Sequence, residues 1–192
     1  MIMRERKEHS FPPLQKRIIL YLAQSKPQTI NQTKKGISGH YKSSWIAFKS
    51  LKEKGLIKET TSKNYRGRQY PCFWLTELGI FLALCERAKS EVLLKTALKI
   101  YPENRDLQFL IEAIPILGKH AFELLYQVVL TKGEIEQRDI TSIFAAQMQE
   151  KFTPKQKRQF ITVLKKYPEQ YQRFVNTINQ IHKDLRELSD LL

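Results

Sequence analysis

The chain has 192 residues, 42% of them apolar and 27% charged, with a formal net charge of +14. That length suits one domain or two small ones with a real core, and two cysteines, Cys72 and Cys85, forming no CxxC, exclude a disulfide framework. The longest apolar run, Gly79 to Cys85, is far below the roughly 20 residues of a membrane helix, and the charged opening MIMRERKEHS is no secretory signal. A reducing cytoplasm is therefore expected, with no membrane partner. The charge is lopsided: residues 1–90 hold 18 Lys and Arg against 6 Asp and Glu, residues 91–192 hold 15 against 13. A cationic first half points to a polyanion, with nucleic acid ahead of an acidic membrane surface. The bland alternative is a merely basic globular protein.

In chain order, Pro12 and Pro13 suit a first helical turn. Leu14, Ile18, Leu22 and Tyr21 then share a face, and Pro27 ends the helix near Ser25. Thr29 and Gln32 have capping-box spacing, which predicts a short polar helix from Ile30 to Lys35 that stops at Gly36. Ser38 is the expected N-cap of a third helix. In that helix Tyr41, Ser44, Trp45, Phe48 and Leu51 form the expected buried face, and Gly55 suits a left-handed cap against which Leu56 packs. Trp45 is assigned to the core rather than to a ligand. The opposite face offers Lys42, Ser43, Ile46, Lys49 and Ser50. Short polar residues there can approach base edges, and lysines suit phosphates.

Leu56–Thr61 and Tyr70–Thr76 read as two strands, with Pro71 tolerable at an edge or a strand start. Between them the tip SKNYRGRQ carries Lys63, Asn64, Tyr65, Arg66 and Arg68, with three cations and no acid. A solvated hairpin loop is the plain reading of such a tip by itself. After a basic helix, a DNA-contacting wing is the better one.

Residues 14–79 resemble the winged helix-turn-helix domain of many archaeal and bacterial transcription regulators. The resemblance rests on the helix-turn-helix spacing, on AFKSLKEKGLIKE (Ala47 to Glu59) closing the recognition helix, and on WLTELG (Trp74 to Gly79) opening the next one. Two features depart from that pattern: Ser44 stands where an aliphatic residue is usual, and the second helix is unusually polar. The resemblance covers about a third of the chain and implies a fold more than a target. It implies three helices plus a two-stranded wing, with the third helix in the major groove and the wing on the flanking backbone or minor groove. The residues it nominates for DNA are Ser38, His40, Lys42, Ser43, Ile46, Lys49 and Ser50 on the helix, and Lys63, Asn64, Tyr65, Arg66 and Arg68 on the wing.

Beyond Thr76 the pattern is helical, with breaks at Pro102, Gly118, Gly133, Pro154 and Pro168. Helices are expected over 77–89, 90–101, 103–117, 119–131, 135–151, 154–166 and 168–192, with Pro115 kinking or shortening one of them. TALKIYPE (Thr96–Glu103) recurs as TVLKKYPE (Thr162–Glu169), and in both copies a helix should end at Tyr and a new one begin at Pro. Two similar corners are the preferred reading, a duplicated hairpin the other. Tyr171, Phe174, Ile178, Ile181, Leu185, Leu188 and Leu192 form a heptad seam that wants a facing helix. A second copy is the favoured partner, and packing within the chain is the alternative.

No Gly-rich phosphate loop, GxSxG or HExxH occurs, and His9, His40, His120 and His182 are scattered. No enzyme, metal or cofactor is expected. The chain thus reads as mainly α: a winged-helix unit over 1–88, then an all-helical dimerisation or sensing domain over 89–192. The expected function is that of a sequence-specific, double-stranded DNA-binding transcription regulator, homodimeric and associated with the nucleoid. The alternatives are a protein-interaction module in a transcription or replication assembly, and an RNA-binding module.

Overall fold

A computed structural model describes residues 12–116, 123–124, 126–128, 139, 142–143 and 152–189. The described chain is mainly helical, and a two-stranded antiparallel sheet follows its first three helices, a layout compatible with a winged helix. Helix α1 (Pro13–Ala23) begins on a proline, whose missing N–H costs nothing in a first turn. It buries Ile18, Ile19, Leu22 and Ala23, while Leu14 and Tyr21 are only partly covered. Its C-terminal carbonyls are closed from far along the chain: the buried indole N–H of Trp74 donates to Leu22 O at 2.7 Å and to Ser25 O at 3.1 Å.

Helix α2 (Ile30–Gly36) has the expected capping box, with Thr29 Oγ1 accepting from Gln32 N and Gln32 Oε1 accepting from Thr29 N. It ends against α1, where a Cβ on Gly36 would run into the Tyr21 ring. Helix α3 (Tyr41–Glu53) starts differently from expectation. Its N-cap is His40, whose side chain makes no cap bond, and Ser38 lies outside the helix with φ +51°. Its end is as expected. Gly55 has φ +66°, its N–H donates to Lys52 O, and Leu56 N donates to Leu51 O, the two bonds of a Schellman cap with Leu56 buried beneath it.

Strands β1 (Ile57–Tyr65) and β2 (Arg68–Leu75) run further than the sequence suggests. Lys63, Asn64 and Tyr65 pair with Tyr70, Gln69 and Arg68, so most of the expected loop is ladder, and the connection is two residues long. Arg66 and Gly67 both have positive φ, +51° and +75°, as the tight hairpin turn matching strand twist requires. A bulge sits between Glu59 and Thr61. Gln28 and Phe73 exchange backbone hydrogen bonds at 3.1 and 2.8 Å, adding a third segment beside β2.

Helix α4 (Glu77–Cys85) is buried from Gly79 to Leu84, because α1 and α6 both lie against it. It is shorter than expected and is followed by α5 (Ser90–Ile100). Helix α6 (Arg105–Ala113) runs into a 3-10 turn, Ile114–Ile116, around Pro115. Helices α7 (Pro154–Lys166) and α8 (Pro168–Ser189) follow, with α7 lying against α6 and α8 against α7. The helices expected at 119–131 and 135–151 fall mainly outside the described residues.

The repeated corner is half kept. Tyr101 and Tyr167 both cap their helices with nearly the same backbone, φ −130° ψ 60° and φ −128° ψ 72°. Both hydroxyls donate inward, to Leu75 O and to Glu112 Oε1, each at 2.8 Å. The copies then diverge. Pro168 opens α8 at once, whereas α6 waits until Arg105, because Asn104 Oδ1 takes the cap position by accepting from Leu107 N.

Candidate functional site

The third helix and the hairpin are joined to the body by one repeatedly tied junction. Thr76 Oγ1 donates to Gly55 O at 2.6 Å and accepts from Gly79 N, so one threonine holds the end of α3 and caps α4. Gly79 has to be glycine here, since a Cβ would strike the Leu56 carbonyl. The LT-x-x-G run therefore fixes how α3 sits on its scaffold. Phe48 of α3 packs edge-on against Phe73 of β2, with ring centroids 5.4 Å apart. Lys58 lies over the Tyr101 ring at 4.4 Å, tying the root of the hairpin to the α5–α6 corner.

On this scaffold the buried stripe of α3 is Ser44, Ala47, Phe48 and Leu51. Tyr41 and Trp45, expected in the core, lie outside it: they are 52% and 49% exposed, and Ile46 is 54% exposed. The physical reason is phase. The stripe that holds Ala47, small and easily overlooked, in place of Tyr41 and Trp45 is centred roughly 45° further from Trp45, at about 100° per residue. Lys42, Ser43, Ile46 and Lys49 are exposed as expected. Ser50 is not free, because its hydroxyl accepts from Gln15 Nε2 at 3.0 Å and faces α1. His40 is exposed beside the helix start. Ser38, also exposed, lies beyond the end of α2, where its N–H donates to Lys35 O. Lys52, exposed in the last turn of α3, is a cation not singled out in the sequence.

The hairpin projects. From Thr61 to Gln69 every residue is exposed, on both faces of the ladder, where a half-buried strand would alternate. Lys63 reaches back to α2 through Gln32 Oε1 at 3.1 Å. Arg66 sits at the tip over the Tyr65 ring at 5.3 Å. Its left-handed backbone costs an L-residue about 1–2 kcal/mol, which Asn or Gly would largely avoid. Two partly protected chemistries lie elsewhere. Cys72 is buried, and burial, helped by the Glu86 carboxylate, pushes the Cys85 thiol up to about 12, so it stays protonated and unreactive at neutral pH. Among the described residues no group of three or more His, Cys, Asp and Glu could hold a metal, and no helix is long and apolar enough to cross a membrane.

The expected dimer seam on α8 divides. Phe174 is buried within its own chain, its ring 5.5 Å from that of Phe160, and Ile178 packs partly on the same core. Phe174 is thus a core residue rather than a free dimer contact. The reason is that α7 already offers the facing ridge the seam needs. Tyr171 is exposed on the open side. The side chains of Ile181, Leu185 and Leu188, and all of Leu192, lie outside what is described.

Comparison of the chain with protein-family models, with curated protein sequences and with solved structures finds no match.

Proposed function

We propose that residues 14–79 form a winged helix-turn-helix unit that binds double-stranded DNA, α3 entering the major groove and the β1–β2 hairpin lying on the flanking backbone or minor groove. The observation that carries this reading is the tip of the hairpin. A ladder exposed on both faces has no core to serve, and it presents Lys63, Arg66 and Arg68, with Arg66 held in a backbone region that disfavours it. Strained backbone kept at a cationic tip is a functional signal when the cation has somewhere to go. Phosphates answer that need, and a two-stranded ribbon fits beside a duplex. The lysines of α3 add to the same field.

Changing Lys63, Arg66 and Arg68 together to Ala should leave the fold intact, because the tip buries nothing. Duplex affinity should fall for all sequences alike, and the slope of log affinity on log salt should flatten by up to about three. Unchanged affinity and slope would reject the wing as a phosphate contact. The second reading, a protein-docking module, draws on exposed Trp45 and Tyr41. It expects binding that barely responds to salt.

In this reading the chain regulates transcription, and two copies would bind a site with two half-sites about one helical turn or a multiple apart. Light scattering at micromolar concentration tests the homodimer. A monomer would mean that α8 completes its packing inside one chain.

A further inference from the structure

We propose that α3 selects thymine: Ile46, set between Lys42 and Lys49 on the outward stripe with Trp45 beside it, packs against the 5-methyl group of thymine in the major groove. The inference rests on the DNA-binding reading above and adds the class of base the helix prefers.

Residues 42, 46 and 49 follow one another at four and three positions, so their side chains stand in a row along the exposed side of α3. The two ends of the row are lysines and its middle is a β-branched aliphatic that is 54% exposed. Nothing in the helix calls for isoleucine there. It is a poorer helix former than Lys or Gln, and it lies outside the buried stripe that orients α3. An apolar group flanked by cations matches a surface that is anionic at its edges and carries an apolar spot at its floor. The major groove has that composition. Phosphates line both rims, and among the four bases only thymine places a methyl group there.

Glu53 bounds the contact. It continues the same row one turn beyond Lys49 and pairs with it at 3.9 Å. Its carboxylate offsets the charge of Lys49, which weights the row toward Lys42 and Ile46 on the N-terminal side. Recognition helices characteristically read bases from their N-terminal part. Trp45 lies at the side of the row, where its ring can cover the neighbouring methyl or sugar edge and exclude water.

The test uses the full chain and a duplex selected by it from a random pool. Each thymine of the selected site is replaced in turn by uracil, which removes only the methyl group. One or two positions should lose about fourfold in affinity, the equivalent of one methyl-sized group returned to water. Ile46→Ala should bind the thymine and uracil duplexes alike while keeping the salt dependence of the unmodified chain. If no uracil replacement changes affinity, or if Ile46→Ala retains the uracil penalty, the inference is overturned. A joint Trp45→Ala and Ile46→Ala change that leaves every duplex affinity untouched overturns it too and assigns the apolar face to a protein partner. Failure to bind any duplex at low salt rejects the DNA-binding reading itself, a result distinct from the other two.

Discussion

Helices α3 and α8 are both amphipathic, and both carry aromatic residues at the border of their apolar stripe. In each, the centre of the stripe is buried as its periodicity predicts: Phe48 and Leu51 in α3, Phe174 in α8. In each, a border aromatic turns outward: Tyr41 and Trp45 in α3, Tyr171 in α8. The difference lies in what surrounds the outward ring. On α3 it shares its side of the helix with the exposed Lys42, Lys49 and Lys52. On α8 the positions three and four residues away are Tyr167, Pro168, Phe174 and Val175, with no cation among them, and Arg173, on another side of the helix, is paired with Asp106 at 2.9 Å. Periodicity finds where a helix is buried, whereas the charge around its edge indicates what the exposed edge can meet.

The largest test of this contrast is a set of truncations. Phe48→Ala and Phe174→Ala should each cost about 3–5 kcal/mol of unfolding free energy, since a large buried ring leaves a cavity. Trp45→Ala and Tyr171→Ala should stay within about 0.5 kcal/mol, as exposed substitutions do. Urea denaturation of the four variants at low protein concentration measures all of it. A cost at Tyr171 equal to that at Phe174 would break the comparison, for it would mean the open side of α8 is covered by something the single chain lacks.

Much of the N-terminal unit was legible because its signals are local. The Thr29–Gln32 capping box and the Gly55 cap each act within one turn of chain, and the sequence places them correctly. The hairpin's existence was legible but its extent was not, because Arg66 in a left-handed turn is an unusual choice that composition does not flag. The phase of α3 was misread because an alanine weighs little in a count of apolar residues and a tryptophan weighs much. What remained out of reach is long-range. No pattern announces that Trp74 closes the end of α1, that Gln15 occupies Ser50, or that α7 is the ridge waiting for Phe174. Those are contacts between distant stretches of sequence, and only the folded chain brings them together.

A smaller effect sharpens the comparison at the roots of the two regions. Tyr101 supports the β2 end behind α3, and Tyr167 stands at the start of α8. Replacing either with Phe removes one inward hydrogen bond and should cost about 1 kcal/mol. Their alkaline behaviour should also be shared. Burial first, and the Glu77 carboxylate second, push Tyr101 up from 10 to about 12. Tyr167 moves the same way through burial, its hydrogen bond to Glu112 and that carboxylate's charge. A raised value means the unfolded chain ionises first. The stability these tyrosines add is therefore complete below about pH 10 and disappears as pH rises through the folded values. Unfolding midpoints measured from pH 9 to 12 should fall less steeply in Tyr101→Phe than in the unmodified chain. Equal slopes would mean that Tyr101 ionises alike in both states.

The smallest effect concerns the centre of α3's stripe, where α8 has Phe174 and α3 has a polar residue. Ser44 is fully buried and its Oγ finds no hydrogen-bond partner among the described residues. A buried hydroxyl without a partner has lost its water bonds for nothing, and serine is also a weaker helix former than alanine by a few tenths of a kcal/mol. Ser44→Ala removes both penalties and changes little volume, so it should raise stability by about 0.5–1 kcal/mol. A larger residue should not serve. Ser44 is fully buried in the packed stripe of α3, so the added methyl groups of a valine would press on its neighbours. Ser44→Val should therefore give back what Ser44→Ala gains, through overpacking. Because Ser44 faces inward, neither change should alter duplex binding by more than the stability difference implies. A Ser44→Ala variant that is less stable than the unmodified chain would show that the hydroxyl has a partner, and that the polar centre of α3 is a satisfied site rather than a concession.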